Sequence, residues 1–171
     1  MRIKVNRAPV LTLWAAVVAE RLGFDNDEAL TLGRAVAGLT AQSKGQWLGI
    51  YEKRHKDPSG AAEPLPDLVF VNLLDRAVPA LQTPQGLRAA EKGEPADPEA
   101  VRRYLRSKFG ENLPTVERAM RSLAESIPAD RLAVDAYGLY ERFRPAVEKG
   151  KRGWGAAGDL DLERIAALRP G

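Results

Sequence analysis

Residues 10–34, VLTLWAAVVAERLGFDNDEALTLGR, set an apolar helix, a glycine turn and a second capped helix in succession with almost no spacer. Pro9 stands where a first-turn proline is tolerated and Gly23 where a helix ends in a left-handed residue, so the first helix reads as Pro9 to Leu22. It is apolar nearly all round, with Trp14, Val18 and Leu22 a turn apart, which predicts a helix central to the core. The second helix opens with Asp25 or Asn26 as cap, sets acids against the positive helix end, and runs to about Leu39 or Gln42. Leu32, Val36 and Leu39 are expected to face the first helix. Gly33 and Gly38 each lower helix propensity by roughly 1 kcal/mol relative to alanine, which is expected to be offset by close packing.

Beyond this hairpin the pattern changes at Ser43-Lys44-Gly45. Gln46 to Tyr51 has the aromatic and branched content of a short strand, and Lys53 to Asp67, with Pro58, Gly60, Pro64 and Pro66, reads as a surface loop. Leu68 to Leu74 is a strand. Ala77 to Leu81 returns beside it, with Pro79 assigning that second strand to an edge. Thr83-Pro84-Gln85-Gly86 is a turn, Leu87 to Ala90 a short strand or a turn of helix, and Glu91 to Ala96 a loop. Asp97-Pro98 starts a helix with Val101, Tyr104, Leu105 and Phe109 on one stripe and Gly110 at its end. Pro114 opens another, with Val116, Met120, Leu123 and Ile127. Pro128 opens a third, with Leu132, Ala136, Leu139, Tyr140 and Phe143, until Pro145 stops it. A glycine-rich loop then leads to a short helix around Asp161 to Leu168. The predicted fold is α+β and predominantly helical, in a single domain of residues 1–171: an N-terminal helical hairpin (1–45), a small antiparallel sheet with loops (46–96) and C-terminal helices (97–171). That length is enough to bury a real core.

Ala19, Gly23, Phe24, Ala29 and Leu32 fall at the offsets of the small residue, turn glycine and later apolar positions of a known motif, and the hairpin resembles the helix-turn-helix family on them. The resemblance covers the hairpin alone and implies DNA as a partner. In that family the first turn of the second helix meets base edges. Here that turn carries Asp25, Asp27 and Glu28, which repel phosphates, so no base-reading residue carries over.

Composition bounds the chemistry. Hydrophobic residues at 44% and charged residues at 29% are globular values, and a net charge of +3 is too mild to establish a polyanionic partner. With no cysteine there are no disulfides, thiolate zinc sites or thiol nucleophiles, which fits a reducing cytoplasm. Met1 to Ala19 imitates a signal peptide, with Arg2, Lys4 and Arg7 before an apolar run ending Val17-Val18-Ala19. The helix nevertheless continues through Glu20, Arg21 and Leu22 to Gly23, and a cut after Ala19 would destroy the hairpin. No apolar run approaches membrane-spanning length. His55, the only histidine, lies in a charged loop and reads as a surface residue, not a positioned base. Asp159, Asp161 and Glu163 alternate like the start of a calcium loop. Arg164 stands where its glycine is needed and Pro170 where its bidentate glutamate belongs, so these acids read as caps of the last helix. No phosphate loop, dinucleotide fingerprint or serine-hydrolase elbow occurs, and no cofactor is implied.

What remains is a distribution of cations. Three patches stand out as candidate nucleic-acid-binding residues. Lys44, Lys53 and Arg54 follow the hairpin together with Trp47. Arg102, Arg103 and Arg106 sit opposite the apolar stripe of the 98–109 helix. Arg142, Arg144, Lys149, Lys151 and Arg152 surround glycines and Trp154, where arginines suit phosphate oxygens and an indole suits a base. The expected function is non-enzymatic nucleic-acid binding or regulation, with DNA or RNA as partner. The alternative is an assembly module that buries apolar helices, Trp47 or Trp154 against a partner or a second copy. An enzyme acting on a small anion ranks third, for want of a catalytic set.

Overall fold

The computed structural model describes residues 1–47, 68–147 and 157–170. Its centre is α1 (Arg7–Arg21), in which every residue from Pro9 to Ala19 is buried. A helix with no polar stripe has no face to give to water, so the rest of the chain is arranged around it. Trp14 is fully buried, donates its indole N–H to the Ala136 carbonyl at 2.9 Å and meets the edge of Phe143 at 5.3 Å between centroids.

The turn after α1 is a Schellman motif. Gly23, at φ +116°, donates its N–H to Glu20 O at 3.0 Å, and Phe24 donates to Ala19 O at 3.0 Å. Then α2 (Asn26–Trp47) begins with a capping box: Asp25 Oδ1 accepts from Glu28 N at 2.8 Å while Glu28 Oε1 accepts from Asp25 N at 3.1 Å. The two helices of the hairpin touch most closely at Gly33, where a Cβ would lie 2.6 Å from Thr12 O and 2.8 Å from Ala16 N. Gly33 therefore serves close packing, as expected. Gly38 does not, since a Cβ there meets nothing within 4 Å. Gln46 and Trp47 belong to α2 and not to a strand. Aromatic content is neutral to helix once no breaker intervenes, and one glycine at 45 lowers propensity without ending the helix. The remainder of that expected strand lies outside the described residues, as does the 53–67 loop.

A four-stranded antiparallel sheet follows, in the order β2 (Leu68–Leu73), β3 (Arg76–Thr83), β4 (Gly86–Glu91), β5 (Glu94–Pro95). Its hairpins are tight. Leu74 and Asp75 between β2 and β3, and Lys92 and Gly93 between β4 and β5, all have positive φ, the geometry whose twist matches that of the strands. Leu74 has no glycine's freedom, and its burial at 2% exposure offsets the backbone strain. β3 is an inner strand, not the edge that its proline suggested. Pro79 lies opposite Phe70 on β2, one residue beyond the last β3–β4 pair, Ala80 with Ala89, so its missing N–H removes no rung there. Residues 91–96, expected as loop, contain β5.

The outer edge of β4 is closed by α2. Leu87 N donates to Glu28 Oε2 at 2.9 Å and Ala89 N to Thr31 Oγ1 at 2.9 Å, so acceptors three apart on a helix meet donors two apart on a strand. Arg88, the one buried charged residue among those described, bonds the Leu87 carbonyl at 3.0 Å and lies 3.7 Å from Asp27.

The remaining elements clasp α1. α3 (Pro98–Phe109) is capped by Asp97, which accepts from Glu99 N, and buries Val101, Leu105 and Phe109. α4 (Leu113–Glu125) buries Val116, Met120 and Leu123, and Arg21 closes its end, donating to Ala124 O in the last turn and to Ile127 O just beyond it. α5 (Ala129–Phe143) buries the face expected of it. The chain ends pair: β1 (Arg2–Asn6) runs antiparallel to β6 (Ala157–Asp161), and Asp161 caps α6 (Leu162–Ala167) by accepting from Glu163 N. The strand at 2–6 gives no sign of itself in the sequence, because five residues alternating around two lysine or arginine side chains resemble any exposed lead-in. No helix among the described residues is long and apolar enough to cross a membrane.

Two outcomes check this packing. Gly33→Ala is expected to cost about 1–3 kcal/mol by pushing two backbones apart, whereas Gly38→Ala gains up to about 1 kcal/mol from propensity, both read from urea unfolding. Glu28→Gln, with one acceptor where two carboxylate oxygens served, is expected to cost about 1–3 kcal/mol for one unmet donor. An unchanged urea midpoint in Glu28→Gln means that Leu87 N–H finds water instead.

Candidate functional site

Arg144 and Pro145 end α5 for a local reason. A residue before proline avoids helical geometry, and Arg144 leaves the helix extended at ψ 156°, its N–H still bonded to Tyr140 O at 2.7 Å. That exit brings the Pro145 carbonyl to the first residue of α1, where Arg7 Nε donates to it at 3.1 Å. The Tyr140 hydroxyl lies 3.5 Å from Arg7 O and closes the same junction. Arg7 and Arg144 are thus held together, each half-buried, from opposite ends of the sequence.

Around Tyr137 and Tyr140 three arginines act against two acids. Burial lowers the pKa of the Arg7 guanidinium, and the charge of Arg144 lowers it further. Arg76, on β3, acts on Tyr137 together with Arg144, while Glu141 and Asp75 oppose them. Arg76 Nε donates to Thr40 Oγ1 at 3.2 Å. None of Arg7, Arg76, Arg142 or Arg144 has a carboxylate within ion-pair distance among the described residues. Arg7 is moreover a cation in the first turn of a 15-residue helix that has no acid in that turn, against the sense of the helix dipole.

The other expected cations fare differently. Arg102 donates to Asp27, to Asn26 at 2.7 Å and to Glu99 at 2.9 Å, and these bonds hold its pKa above the usual arginine value despite partial burial. Arg106 reaches Glu99 at 3.3 Å, and Arg103 is exposed without an ion pair among the described residues. Lys44 lies on the last turns of α2. Lys53, Arg54, Lys149, Lys151, Arg152 and Trp154 lie outside the described residues. The helix start that the helix-turn-helix likeness would turn toward DNA is instead occupied by β4 and α3, through Glu28, Asp27 and Asn26. Nothing local in the sequence marks Arg7 and Arg76 as site residues. Their meeting with Arg144 is a product of tertiary packing, across more than 130 residues in one case.

No group of three or more metal-ligating side chains occurs among the described residues. The acids 159, 161 and 163 are divided, with Asp159 paired to Lys4 at 3.1 Å, Asp161 capping α6 and Glu163 at the terminal amine. The chain matches no protein-family model, no curated protein and no solved structure.

Tyr140 gives the junction a pH signature. Burial raises its hydroxyl pKa well above the usual tyrosine value, with Arg7 and Arg144 opposing. The unfolded chain therefore loses this proton first, and stability falls as pH rises above about 10. Tyr140→Phe is expected to flatten that decline while leaving the neutral-pH urea midpoint nearly in place. A decline of the same steepness in Tyr140→Phe would assign it to other groups.

Proposed function

We propose that the protein binds nucleic acid without acting on it chemically, and that phosphates seat at the junction of α1 and α5. The observation that carries this is the pair Arg7 and Arg144, brought near enough by the Arg7–Pro145 bond for one charge to act on the other, with no carboxylate within 4 Å of either among the described residues. Like charges kept together cost free energy, and a phosphate relieves it through charge-assisted hydrogen bonds to both. Arg142 extends the same end of α5, and residues 149–154 follow directly in sequence with three more cations and Trp154. Sequence-independent backbone contact suits a patch of guanidiniums better than base reading does, because neither acidic Asp27 nor Glu28 is free to meet a base edge.

Self-association is the second candidate, favoured by one observation. Phe70 at 64% and Val69 at 44% exposure lie on β2, an edge strand of the sheet, and an exposed apolar edge invites another strand.

Fluorescence anisotropy with labelled duplex DNA, single-stranded DNA and RNA at two salt concentrations tests the proposal. Binding is expected to weaken steeply with salt, and Arg142→Ala with Arg144→Ala to make the log–log slope shallower by about one unit for each phosphate that is no longer neutralised. No binding to any of the three at low salt, or a slope unchanged in the double variant, overturns it. A salt-insensitive dimer in sedimentation that dissociates on Phe70→Lys supports self-association in its place.

A further inference from the structure

Between α2, the end of β4 and the start of α3 lies a cleft of about 450 Å³, within the range of small-molecule sites. It exists because the side chains turned into it are small: Ala35 and Gly38 from α2, Ala89 and Ala90 from β4, Ala100 from α3. Larger residues at these places would have closed the gap as the rest of the core closes. Gly38 is the clearest case, with open space where its Cβ would be. The floor is apolar and the lining carries three charges.

Those charges are of both signs and do not neutralise one another. Arg34 stands on the ring of Tyr104, its guanidinium carbon 4.3 Å from the centroid, which fixes a cation without consuming its hydrogen bonds. Glu91 and Asp97 line the same cleft. Asp97 uses one oxygen as the cap of α3, and Glu91 has no ion pair among the described residues. A surface salt bridge between Arg34 and either acid would form if they met, yet none lies within 4 Å. Charges of both signs thus line one cleft with no ion pair between them.

We propose that this cleft binds a small zwitterion with an aliphatic body, an α-amino acid of the leucine, isoleucine or valine class. Its carboxylate pairs with Arg34, its ammonium with Glu91 and Asp97, and its side chain lies against the alanine floor. The three charges are exposed, so a ligand with only one charge forgoes half of the charge-assisted contacts that the zwitterion makes, and this loss is where the selectivity arises. The site uses none of the residues of the α1–α5 junction and stands or falls independently of nucleic-acid binding.

The full chain is titrated in a calorimeter with L-leucine, L-isoleucine and L-valine, and with isopentylamine and isocaproate as the singly charged counterparts of leucine. At least one amino acid is expected to bind, the counterparts are not, and the thermal midpoint is expected to rise with the amino acid alone. Arg34→Gln weakens binding roughly tenfold or more, the loss typical of an unmatched charge. Gly38→Leu fills the cleft from a helix position where leucine is the better helix former, so it abolishes binding in a protein at least as stable as the parent. Absence of heat from all three amino acids at millimolar concentration overturns the proposal. So does equal binding of amine or acid, or undiminished binding by Gly38→Leu.

Discussion

The start of α2 is the joint on which the other parts hang. Three acids within four residues ought to repel one another, and at the surface of an isolated hairpin they would only cap a helix. In the folded chain each has a different duty. Asp25 closes the capping box with Glu28, Glu28 uses its second oxygen for the N–H of Leu87, and Asp27 lies between Arg88 of β4 and Arg102 of α3. One helix turn thus terminates a sheet edge and anchors a second helix. It also explains how a guanidinium comes to be buried at Arg88, since a cation is tolerated there only with carbonyls and a carboxylate beside it.

The second constraint is α1. A helix buried from Pro9 to Ala19 contributes a large apolar area but leaves every neighbour to fit its contour. α2 fits by giving up a side chain at Gly33, and α5 by offering the Ala136 carbonyl to the one polar atom of Trp14. Only the two ends of α1 carry charge, and both are used. Arg21 bonds carbonyls at and just beyond the end of α4, while Arg7 ties the exit of α5. Packing on the sides and hydrogen bonding at the ends together fix where the helices lie.

The elements with strong local signals were legible: the stripes of α3, α4 and α5, the Asp97-Pro98 start, the glycine stop at 23. These depend on residues within one or two turns of each other, and local physics determines them. What the sequence hid is non-local or unmarked. The Leu74-Asp75 turn has no glycine, so the positive φ of both residues is imposed by strands on either side. β1 exists only because β6 is there to pair with it. Pro79 suggested an edge and found a local gap in a ladder instead. For the candidate site the division is sharper: Arg144 belongs to a visible run of cations, whereas Arg7 looked like the flank of an apolar run and Arg76 like a turn residue.

A net charge of +3 says little about which cations meet a partner, because folding sorts them. Arg88, Arg102 and Arg121 are matched to acids of other elements and hold those elements together, whereas Arg106 and Arg131 pair with acids of their own helix. The 98–109 helix, the most regular basic face in the sequence, therefore has two of its three candidate arginines engaged with Glu99 or Asp27. Arg7, Arg34 and Arg76 are positioned by a carbonyl, an aromatic ring and a hydroxyl, interactions that orient a guanidinium and leave its charge uncompensated. Orientation without neutralisation is the condition under which an arginine gains most from an incoming anion, since neither a rotamer search nor a broken ion pair opposes binding.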